Sequence, residues 1–384
     1  MNHFSISSLV ETIPEAASLK FSVLAAQMKN QGKDVIILSR GEAFFQIPQF
    51  SFEDLPFERG YHYSDPQGII ELRKRISNYY LKTYKVSSNP ESEVLISAGS
   101  KILLFMSLAV LLNPGEEVIL LEPSWVSYPH QSTLLRAVSI FIPHYEKIEN
   151  IEKYITPKTR VIIINNPNNP SGKVYSYQDL QTLSFVAQKY HLYIIADESY
   201  SDFVSREPFI SMGAFDQEKQ YTIIVNSFSK NFGLSGWRIG YLIANSEILR
   251  SILTLNQHLI TCPSTILSSY IERYFDKLLS ITKPQIKNLM QLREETSLFM
   301  DAIGLQYLPG SATFYFCVSI AQSKFSSDEF SMKFLQDYFV AVVPGSSYGE
   351  SMDRFVRISI GTEAPERIKR GLSALSKMIQ ETCV

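Results

Sequence analysis

The sequence has few cysteines, no excess of charge of one sign and no long hydrophobic run. Its 384 residues include three cysteines, and 36 Lys and Arg balance 38 Asp and Glu to leave a net charge of −2. Cys262, Cys317 and Cys383 are scattered without metal-ligand spacing, so we expect no metal site, no disulfide framework and a reducing compartment. The balanced charge argues against a nucleic-acid-binding protein that works through a general basic field.

No segment of the sequence predicts contact with a membrane. The most apolar run covers residues 102–112 and is broken only by Ser107, whereas a membrane span needs about 20 such residues. We therefore expect a buried helix there. Residues 1–15 have no basic stretch followed by an apolar one, so no secretory signal is predicted. Together these features predict a cytoplasmic protein.

The middle of the chain alternates short β-branched runs with helical patterns. Hydrophobic residues make up 45% and charged residues 19%, which is an ordinary globular composition. Strands are predicted at residues 94–97, 118–122, 161–165, 193–196, 222–226 and 239–244. Helices are predicted at residues 68–84, 101–112, 125–135 and 177–190. This alternation predicts an α/β fold with a mainly parallel sheet flanked by helices.

The pattern changes after residue 244. A mostly helical stretch runs to about residue 302, and short strands are then predicted at 313–319, 340–343 and 355–360, with helices at 328–338 and from 364. This order indicates a smaller α+β domain. We assign residues 46–280 to the large domain, and residues 1–45 and 281–384 to an amino-terminal arm and the small domain.

Five polar segments follow predicted strands, where ligands bind in parallel sheets. They cover residues 98–101, 165–172, 197–200, 227–230 and 236–240. Gly99 and Ser100 open a predicted helix, which suits either a phosphate site or an ordinary helix cap. Asp197 follows an apolar strand, where an unpaired carboxylate is costly, although it also suits a cap. Lys230 lies in a small-residue setting directly after a strand, whereas most lysines are solvated.

Taken together, the segments resemble the pyridoxal-phosphate enzymes of fold type I. Within them, the sequence is similar to the class I aminotransferases related to aspartate aminotransferase. The run Ser227-Phe228-Ser229-Lys230 followed by Gly236-Trp237-Arg238-Ile239-Gly240 is the most specific match in order and spacing. The resemblance covers nearly the whole chain and also includes residues 41–42, 63–68, 125–129, 343–345 and 357.

The resemblance implies pyridoxal 5'-phosphate as cofactor and assigns roles around its ring. Lys230 would form a Schiff base with the cofactor aldehyde and then move the proton at the substrate's Cα. Asp197 would pair with the ring nitrogen and keep it protonated. Tyr200 and Asn169 would hydrogen-bond the ring hydroxyl oxygen, and Trp125 would stack on the ring.

The same resemblance assigns the phosphate and the substrate carboxylate. The phosphate would be held by Gly99, Ser100, Lys101, Ser227 and Arg238. Tyr63 would reach the phosphate of the neighbouring subunit, which implies a homodimer. The substrate would contact Gly41, Trp125, Asn169 and Arg357, with Arg357 clamping its α-carboxylate.

The implied reaction moves an amino group between an L-amino acid and a 2-oxo acid by a ping-pong mechanism. A β- or γ-eliminating lyase, or an oxidase, would keep the same residues, because fold and cofactor do not fix the reaction. An effector-sensing aminotransferase-like module is a further alternative. We expect it less, because little sequence precedes Gly41 to form a DNA-binding unit.

Two features bear on the substrate and on departures from the family. In a subgroup of the family, a lysine at the position of Lys101 and a hydroxyl residue near Ser18 bind the side-chain carboxylate of the substrate. This match favours glutamate or aspartate as one substrate. Lys101 would otherwise serve only the phosphate or face solvent. Ala43-Phe44 replaces a usual Pro-Asp, which implies a loop that moves differently or presents a more apolar wall. The apolar Phe44-Phe45 near Gly41 favours an aromatic or aliphatic partner for the other half-reaction. Ala312 stands where Gly is usual, which changes the local turn.

Overall fold

In a computed structural model of the chain, residues 7–383 are described, apart from the side chain of Ser18. The helices are α1 (Ser8–Glu11), α2 (Ala17–Asn30), α3 (Phe57–Gly60), α4 (Ile70–Tyr84), α5 (Ser100–Leu111), α6 (Ser127–Leu134), α7 (Tyr177–Tyr190), α8 (Ser246–Leu259), α9 (Thr265–Ala302), α10 (Ser327–Tyr338) and α11 (Pro365–Glu381). The strands are β1 (Ile36–Ile37), β2 (Val94–Ser97), β3 (Glu117–Leu121), β4 (Val138–Ile142), β5 (Thr159–Asn165), β6 (Tyr193–Asp197), β7 (Thr222–Ser227), β8 (Gly240–Ile243), β9 (Tyr315–Ser319), β10 (Val340–Ala341), β11 (Val343–Pro344) and β12 (Phe355–Ser359).

A seven-stranded sheet forms the centre of the large domain. Its order is β2-β8-β7-β6-β5-β3-β4, and β8 runs antiparallel to both of its neighbours while the other pairs are parallel. The predicted α/β fold with a mainly parallel sheet is therefore confirmed. In the register of β5 and β6, Asn165 lies opposite Asp197. This register places two polar side chains of the predicted site at the same edge of the sheet.

The sheet is covered by helices on both faces. Ile163 and Ile195 belong to a core with α5 and α8, whereas Ile162 and Ile194 pack with α7 on the opposite face. Both faces are therefore buried, which explains why these strands are continuous apolar runs instead of alternating ones. The helices α4 and α9 cover the end of the sheet that β2 and β8 form.

The small domain contains an antiparallel sheet in the order β11-β12-β9 and a parallel pair of β1 with β10. Arg357 lies on the central strand β12, opposite Cys317 on β9 and Val343 on β11. The core of this domain includes Phe316 and Leu372, and Tyr200 of the large domain joins the same cluster. This shared core couples the two domains beside the predicted site.

Most predicted elements are present within one or two residues, and three points differ. The edge strand β4 was not predicted, since Val138 and Phe141 remain exposed and the run lacks the buried character of its neighbours. The helical stretch after residue 244 is broken between Leu259 and Thr265, so it forms α8 and α9. The predicted strand at 340–343 is two strands, β10 and β11. The predicted domain boundary after residue 280 stays a prediction and falls inside α9.

Candidate active site

A cleft of about 520 Å³ lies where β5, β6 and β7 end, between the large sheet and the strand that carries Arg357. Its lining is mostly polar and comes from the sheet, from α2, from the segment before residue 43 and from the small domain. Of the predicted site residues, the lining includes Gly41, Ser100, Lys101, Trp125, Asn169, Asp197, Tyr200, Ser227, Lys230, Arg238 and Arg357. Gly99 and Tyr63 do not line it.

Lys230 lies in the turn that follows β7, and its amine points into the cleft. Nζ donates a hydrogen bond to the carbonyl oxygen of Gly41 at 2.6 Å, and it lies 5.7 Å from the ring centroid of Tyr200. Burial lowers the pKa of Lys230 to about 8, and the charges of Arg357 and Arg238 also lower it while Glu42 opposes them. A larger share of the neutral, nucleophilic amine is therefore present near neutral pH than for an ordinary lysine.

Asp197 ends β6 and is only 6% exposed. Its Oδ1 accepts hydrogen bonds from Ser199 N at 3.1 Å and Ser199 Oγ at 2.6 Å, and its Oδ2 accepts one from Tyr128 Oη at 2.8 Å. Burial raises the pKa of Asp197, although these hydrogen bonds and the charge of Lys230 oppose the shift. A cation placed against this carboxylate would supply the charge partner that its neutral hydrogen-bond donors do not.

The phenol of Tyr200 lies between two polar side chains. Asn169 Nδ2 donates to Tyr200 Oη at 3.3 Å, and the hydroxyls of Tyr200 and Tyr315 lie 3.0 Å apart. Asn169 is held in place by its backbone N–H, which donates to Asn165 Oδ1 at 2.7 Å. Its own Oδ1 is buried without a hydrogen-bond partner among the described residues. Such an atom is expected to meet a ligand group, because burying it unpaired is costly.

The turns after β2 and β7 form a cradle around Arg238. Gly99 precedes α5 with φ +93°, and a Cβ there would lie 2.8 Å from Arg238 Nη2. Gly240, at the start of β8, lets this strand pass close to the beginning of α5, since a Cβ at Gly240 would lie 2.5 Å from Ser100 N. The start of α5 therefore presents free amides beside a guanidinium, which is the arrangement that binds phosphate groups.

Lys101 and Trp125 lie together on one wall of the cleft. Lys101 Nζ is 5.1 Å from the Trp125 ring centroid, and Trp125 packs edge-on against Tyr128 with ring centroids 5.2 Å apart. Partial burial, and then the charge of Arg238, lower the pKa of Lys101. The lysine is therefore near both the phosphate cradle and the open part of the cleft. The side chain of Ser18, its predicted helper, lies outside the described residues.

Arg357 enters the cleft from the small domain. It is 3% exposed, its Nη2 donates to Ser39 O at 2.5 Å, and its guanidinium carbon lies 4.6 Å from the Tyr315 ring centroid. Arg357 Nε is buried without a hydrogen-bond partner among the described residues. The guanidinium thus keeps donor capacity for an anion, which a carboxylate can satisfy with two parallel hydrogen bonds.

Within a single chain, Tyr63 does not line this cleft. Its ring is 86% exposed, and it lines a different surface depression with Arg59 and Thr265. An aromatic side chain so exposed gains no burial within the chain itself. This position is compatible with the predicted contact to a second subunit, which stays a prediction.

The residues present fit pyridoxal 5'-phosphate. The cradle of Gly99, Ser100 and Arg238 suits its phosphate, and buried Asp197 lacks the cation that a protonated ring nitrogen would provide. The unpartnered oxygen of Asn169 lies in the same cleft. Among residues 7–383, no cluster of three or more His, Cys, Asp and Glu side chains is arranged to hold a metal ion.

Several residues of the cleft have no role assigned from the sequence, and Arg40 and Tyr315 are two of them. Arg40 directly precedes Gly41, and Tyr315 begins β9. Both lie beside segments that the resemblance includes, but only the tertiary structure shows that they line the cleft. A charged residue next to a predicted substrate contact was the available signal for Arg40.

The fold and the cleft define a pyridoxal-phosphate enzyme, and comparison with known proteins gives the family. The family model described as Aminotransferase class I and II matches residues 54–375. The chain belongs to this family, whose class I members use pyridoxal 5'-phosphate. It is a pyridoxal-phosphate-dependent aminotransferase, as the sequence predicts, and no comparison favours elimination or oxidation.

Named relatives cover nearly the whole chain. An aspartate aminotransferase of Bacillus sp. is 31% identical over 95% of this chain and 98% of its own length. The aromatic-amino-acid aminotransferase 2 of Thermococcus litoralis is 30% identical over 90% of this chain and 92% of its own length. The structure of Thermus thermophilus aspartate aminotransferase with maleate matches with a TM-score of 0.89 at 25% identity, over 98% of this chain and all of that one.

Proposed function

We propose that this aminotransferase works by a ping-pong mechanism in the cleft described above, with the amino group kept on the enzyme between two half-reactions. One observation carries the proposal. The amine of Lys230, the carboxylate of Asp197 and the guanidinium of Arg357 come from three separate strands or turns and line the same cleft. When bound, pyridoxal 5'-phosphate supplies an aldehyde that accepts the amino group and a ring that withdraws electrons from the substrate's Cα.

Lys230 has two tasks in this proposal. With the cofactor bound, the neutral amine of Lys230, which its lowered pKa favours, would be the group that holds the cofactor aldehyde. The same amine, beside the substrate, would take the proton from Cα and later return a proton. The hydrogen bond from Nζ to Gly41 O shows that the amine reaches the segment that would contact the substrate.

Asp197, Asn169 and Tyr200 hold the cofactor ring and tune its charge. Asp197 would hold the ring nitrogen in its protonated form, and the hydrogen bonds from Ser199 and Tyr128 keep the carboxylate of Asp197 oriented. Tyr200 and Asn169, already in contact with each other, donate hydrogen bonds to the ring hydroxyl oxygen. Trp125, which lines the cleft, would stack on the ring and exclude water from that side.

The cradle would bind the cofactor phosphate. The side chains proposed to contact this one anion are those of Ser100, Lys101, Ser227 and Arg238. Two cationic side chains and the amides that begin α5 supply the positive potential that a phosphate dianion requires. Tyr63 of a second subunit adds a hydroxyl, so the working unit is a homodimer. The high exposure of Tyr63 supports this part of the proposal.

Arg357 and the backbone of Gly41 bind the substrate's α-carboxylate. Arg357 belongs to the small domain and Lys230 to the large one, so substrate binding bridges the two and favours closure of the cleft. The hydrogen bond from Arg357 to Ser39 O would be exchanged for two bonds to the carboxylate.

A dicarboxylic amino acid, with glutamate as the preferred donor, is proposed as one substrate. Lys101 supports this proposal, since it lines the cleft beside Trp125. Relatives named for aspartate and for aromatic amino acids leave the second substrate open. We place the enzyme in the cytoplasm, since Cys262 and Cys317 carry free thiols, as a reducing compartment requires. No helix of residues 7–383 is both long and apolar enough to cross a membrane.

The test is a half-reaction with cofactor-loaded enzyme and no acceptor. One equivalent of 2-oxoglutarate per active site should appear from glutamate, with no ammonia, and a second oxo acid should then be converted to its amino acid. Continuous release of ammonia from a single amino acid would contradict transamination and indicate elimination or oxidation.

A further inference from the structure

The segment that precedes Gly41 lies between the two charged groups that the proposed mechanism uses. Ser39 O accepts the hydrogen bond from Arg357, and Gly41 O accepts the one from Lys230. Arg40 is the residue between them, so its Cα is fixed within one residue of both contacts. The backbone of this segment is therefore held in place independently of the Arg40 side chain.

Arg40 itself lines the same cleft. The lining that it shares includes Leu19 of α2 and Lys101. Its guanidinium carbon lies 5.4 Å from the ring centroid of Phe44, which itself is 58% exposed. Within residues 7–383 the guanidinium makes no hydrogen bond and no ion pair. Stacking on Phe44 supports one face of the guanidinium and leaves its N–H edges available.

The charges that line the cleft do not balance. Among the described lining residues, five are cationic and two are carboxylates: Arg40, Lys101, Lys230, Arg238 and Arg357 against Glu42 and Asp197. In the proposed function the cofactor phosphate would use Arg238 and Lys101, the α-carboxylate would use Arg357, and Lys230 would hold the cofactor. Asp197 meets the ring nitrogen. Among the described lining residues, Arg40 is then the cation to which the proposed function gives no anion, and it makes no ion pair with Glu42, which accepts a hydrogen bond from Ser235.

We propose that Arg40 is a specificity-determining residue that binds the side-chain carboxylate of an acidic amino-acid substrate. The inference rests on the proposed function, because it assumes that the substrate's other end is held by Arg357. A guanidinium is suited to the task, since its planar fork matches a carboxylate with two parallel hydrogen bonds. Lys101 would add positive charge from the Trp125 side, whereas Arg40 would give the geometric selectivity.

The test compares two substrates in variants that keep or remove the charge. Arg40→Gln removes it and Arg40→Lys keeps it without the fork, while Arg250→Gln removes an equal charge from an exposed position on α8 outside the cleft. Arg40→Gln should lower kcat/KM for glutamate roughly 10- to 100-fold while that for leucine changes less than about threefold. Arg40→Lys should be intermediate, and Arg250→Gln should behave like the wild type.

A binding measurement supplies a readout without turnover. Cofactor-loaded wild-type enzyme should bind glutarate, a dicarboxylate, at least roughly ten times more tightly than pentanoate by isothermal titration, and Arg40→Gln should remove that difference. Equal affinity for the two acids in the wild type would overturn the proposal. So would an Arg40→Gln enzyme that keeps the preference, with Lys101→Gln abolishing it instead.

These outcomes separate the proposal from the function on which it rests. If the wild type transaminates leucine and glutamate but Arg40→Gln lowers both equally, the role of Arg40 is wrong and the proposed function stands. If the cofactor-loaded wild type transaminates no amino acid, the proposed function is wrong and the role of Arg40 falls with it.

Discussion

At the scale of single residues, the account depends on how burial changes the charge of a few side chains. Lys230 illustrates this, because the cleft lowers its pKa from 10.5 to about 8. The neutral amine, which is the reactive form, therefore becomes dominant above about pH 8 in the cofactor-free protein. An ordinary lysine would need a pH more than two units higher.

Labelling of the cofactor-free protein with an amine-selective reagent tests this shift. The labelling rate of Lys230, read from its peptide by mass spectrometry, should rise with pH to a midpoint near 8. The exposed Lys147 in the same digest serves as an internal reference. A midpoint for Lys230 above about pH 10 would show that the cleft does not lower its pKa.

Arg357 is the residue whose removal should affect substrate binding most. Arg357→Ala should raise KM for the amino acid by roughly 10- to 100-fold, since a hydrogen bond to a charged group is worth about 1.5–3 kcal/mol. Arg357→Lys should recover part of the loss, because it restores the charge without the fork. Because the residue is buried on a central strand, thermal unfolding must be measured alongside. A folded Arg357→Ala enzyme with unchanged KM would refute the assignment.

At the scale of elements, the turn that begins α5 should determine cofactor affinity. Gly99→Ala forces a side chain into a positive-φ conformation and toward Arg238 at 2.8 Å. Gly115→Ala imposes a similar φ, +84° against +93°, at a place where nothing lies within 4 Å of the new Cβ. Both variants should lose about 1–3 kcal/mol of stability from backbone strain.

Cofactor affinity distinguishes the two glycine variants. Equilibrium dialysis should show that Gly99→Ala binds pyridoxal 5'-phosphate at least roughly tenfold more weakly than the wild type, because Arg238 must move from the phosphate cradle. Gly115→Ala should bind it normally. If both variants lose the same affinity, the effect is general destabilisation and the cradle is wrongly placed.

The sequence predicted the elements better where a strand is buried on both faces. Residues 94–97 and 177–190 were predicted with the bounds that the structure has, because continuous burial and the helical period leave clear patterns. The edge strand β4 lacks that signal, since its exposed side chains need no apolar run. The places of Arg40 and Tyr315 in the cleft could not be predicted, because the direction of a side chain depends on segments far apart in the chain. The roles of the other site residues came from the resemblance and await experiment.

At the scale of the whole molecule, the proposal requires two chains for each active site. If Tyr63 serves the phosphate of the partner's site, a Tyr63→Ala chain paired with a Lys230→Ala chain forms one intact site, made of Lys230 from the first chain and Tyr63 from the second. Either variant alone forms no intact site. Activity recovered on mixing the two variants therefore tests directly whether each active site contains residues of both subunits.

At a cofactor concentration too low to load the Tyr63→Ala sites, equal mixing of the two variants should restore about a quarter of the wild-type activity, since random pairing makes half of the dimers mixed and each has one intact site. Activity should appear as subunits exchange, and sedimentation should show dimers throughout. No recovery after proven exchange, or an active monomer, would contradict the shared site.

The central claim is that Lys230 carries the cofactor in this cleft, and one measurement tests it directly. Cofactor-loaded protein is reduced with borohydride, digested and examined by mass spectrometry for the peptide that gains the mass of the reduced cofactor. The account predicts a single labelled peptide with the cofactor on Lys230, and no label in a folded Lys230→Ala variant. Label on another lysine, such as Lys101, or label that persists in Lys230→Ala would contradict it.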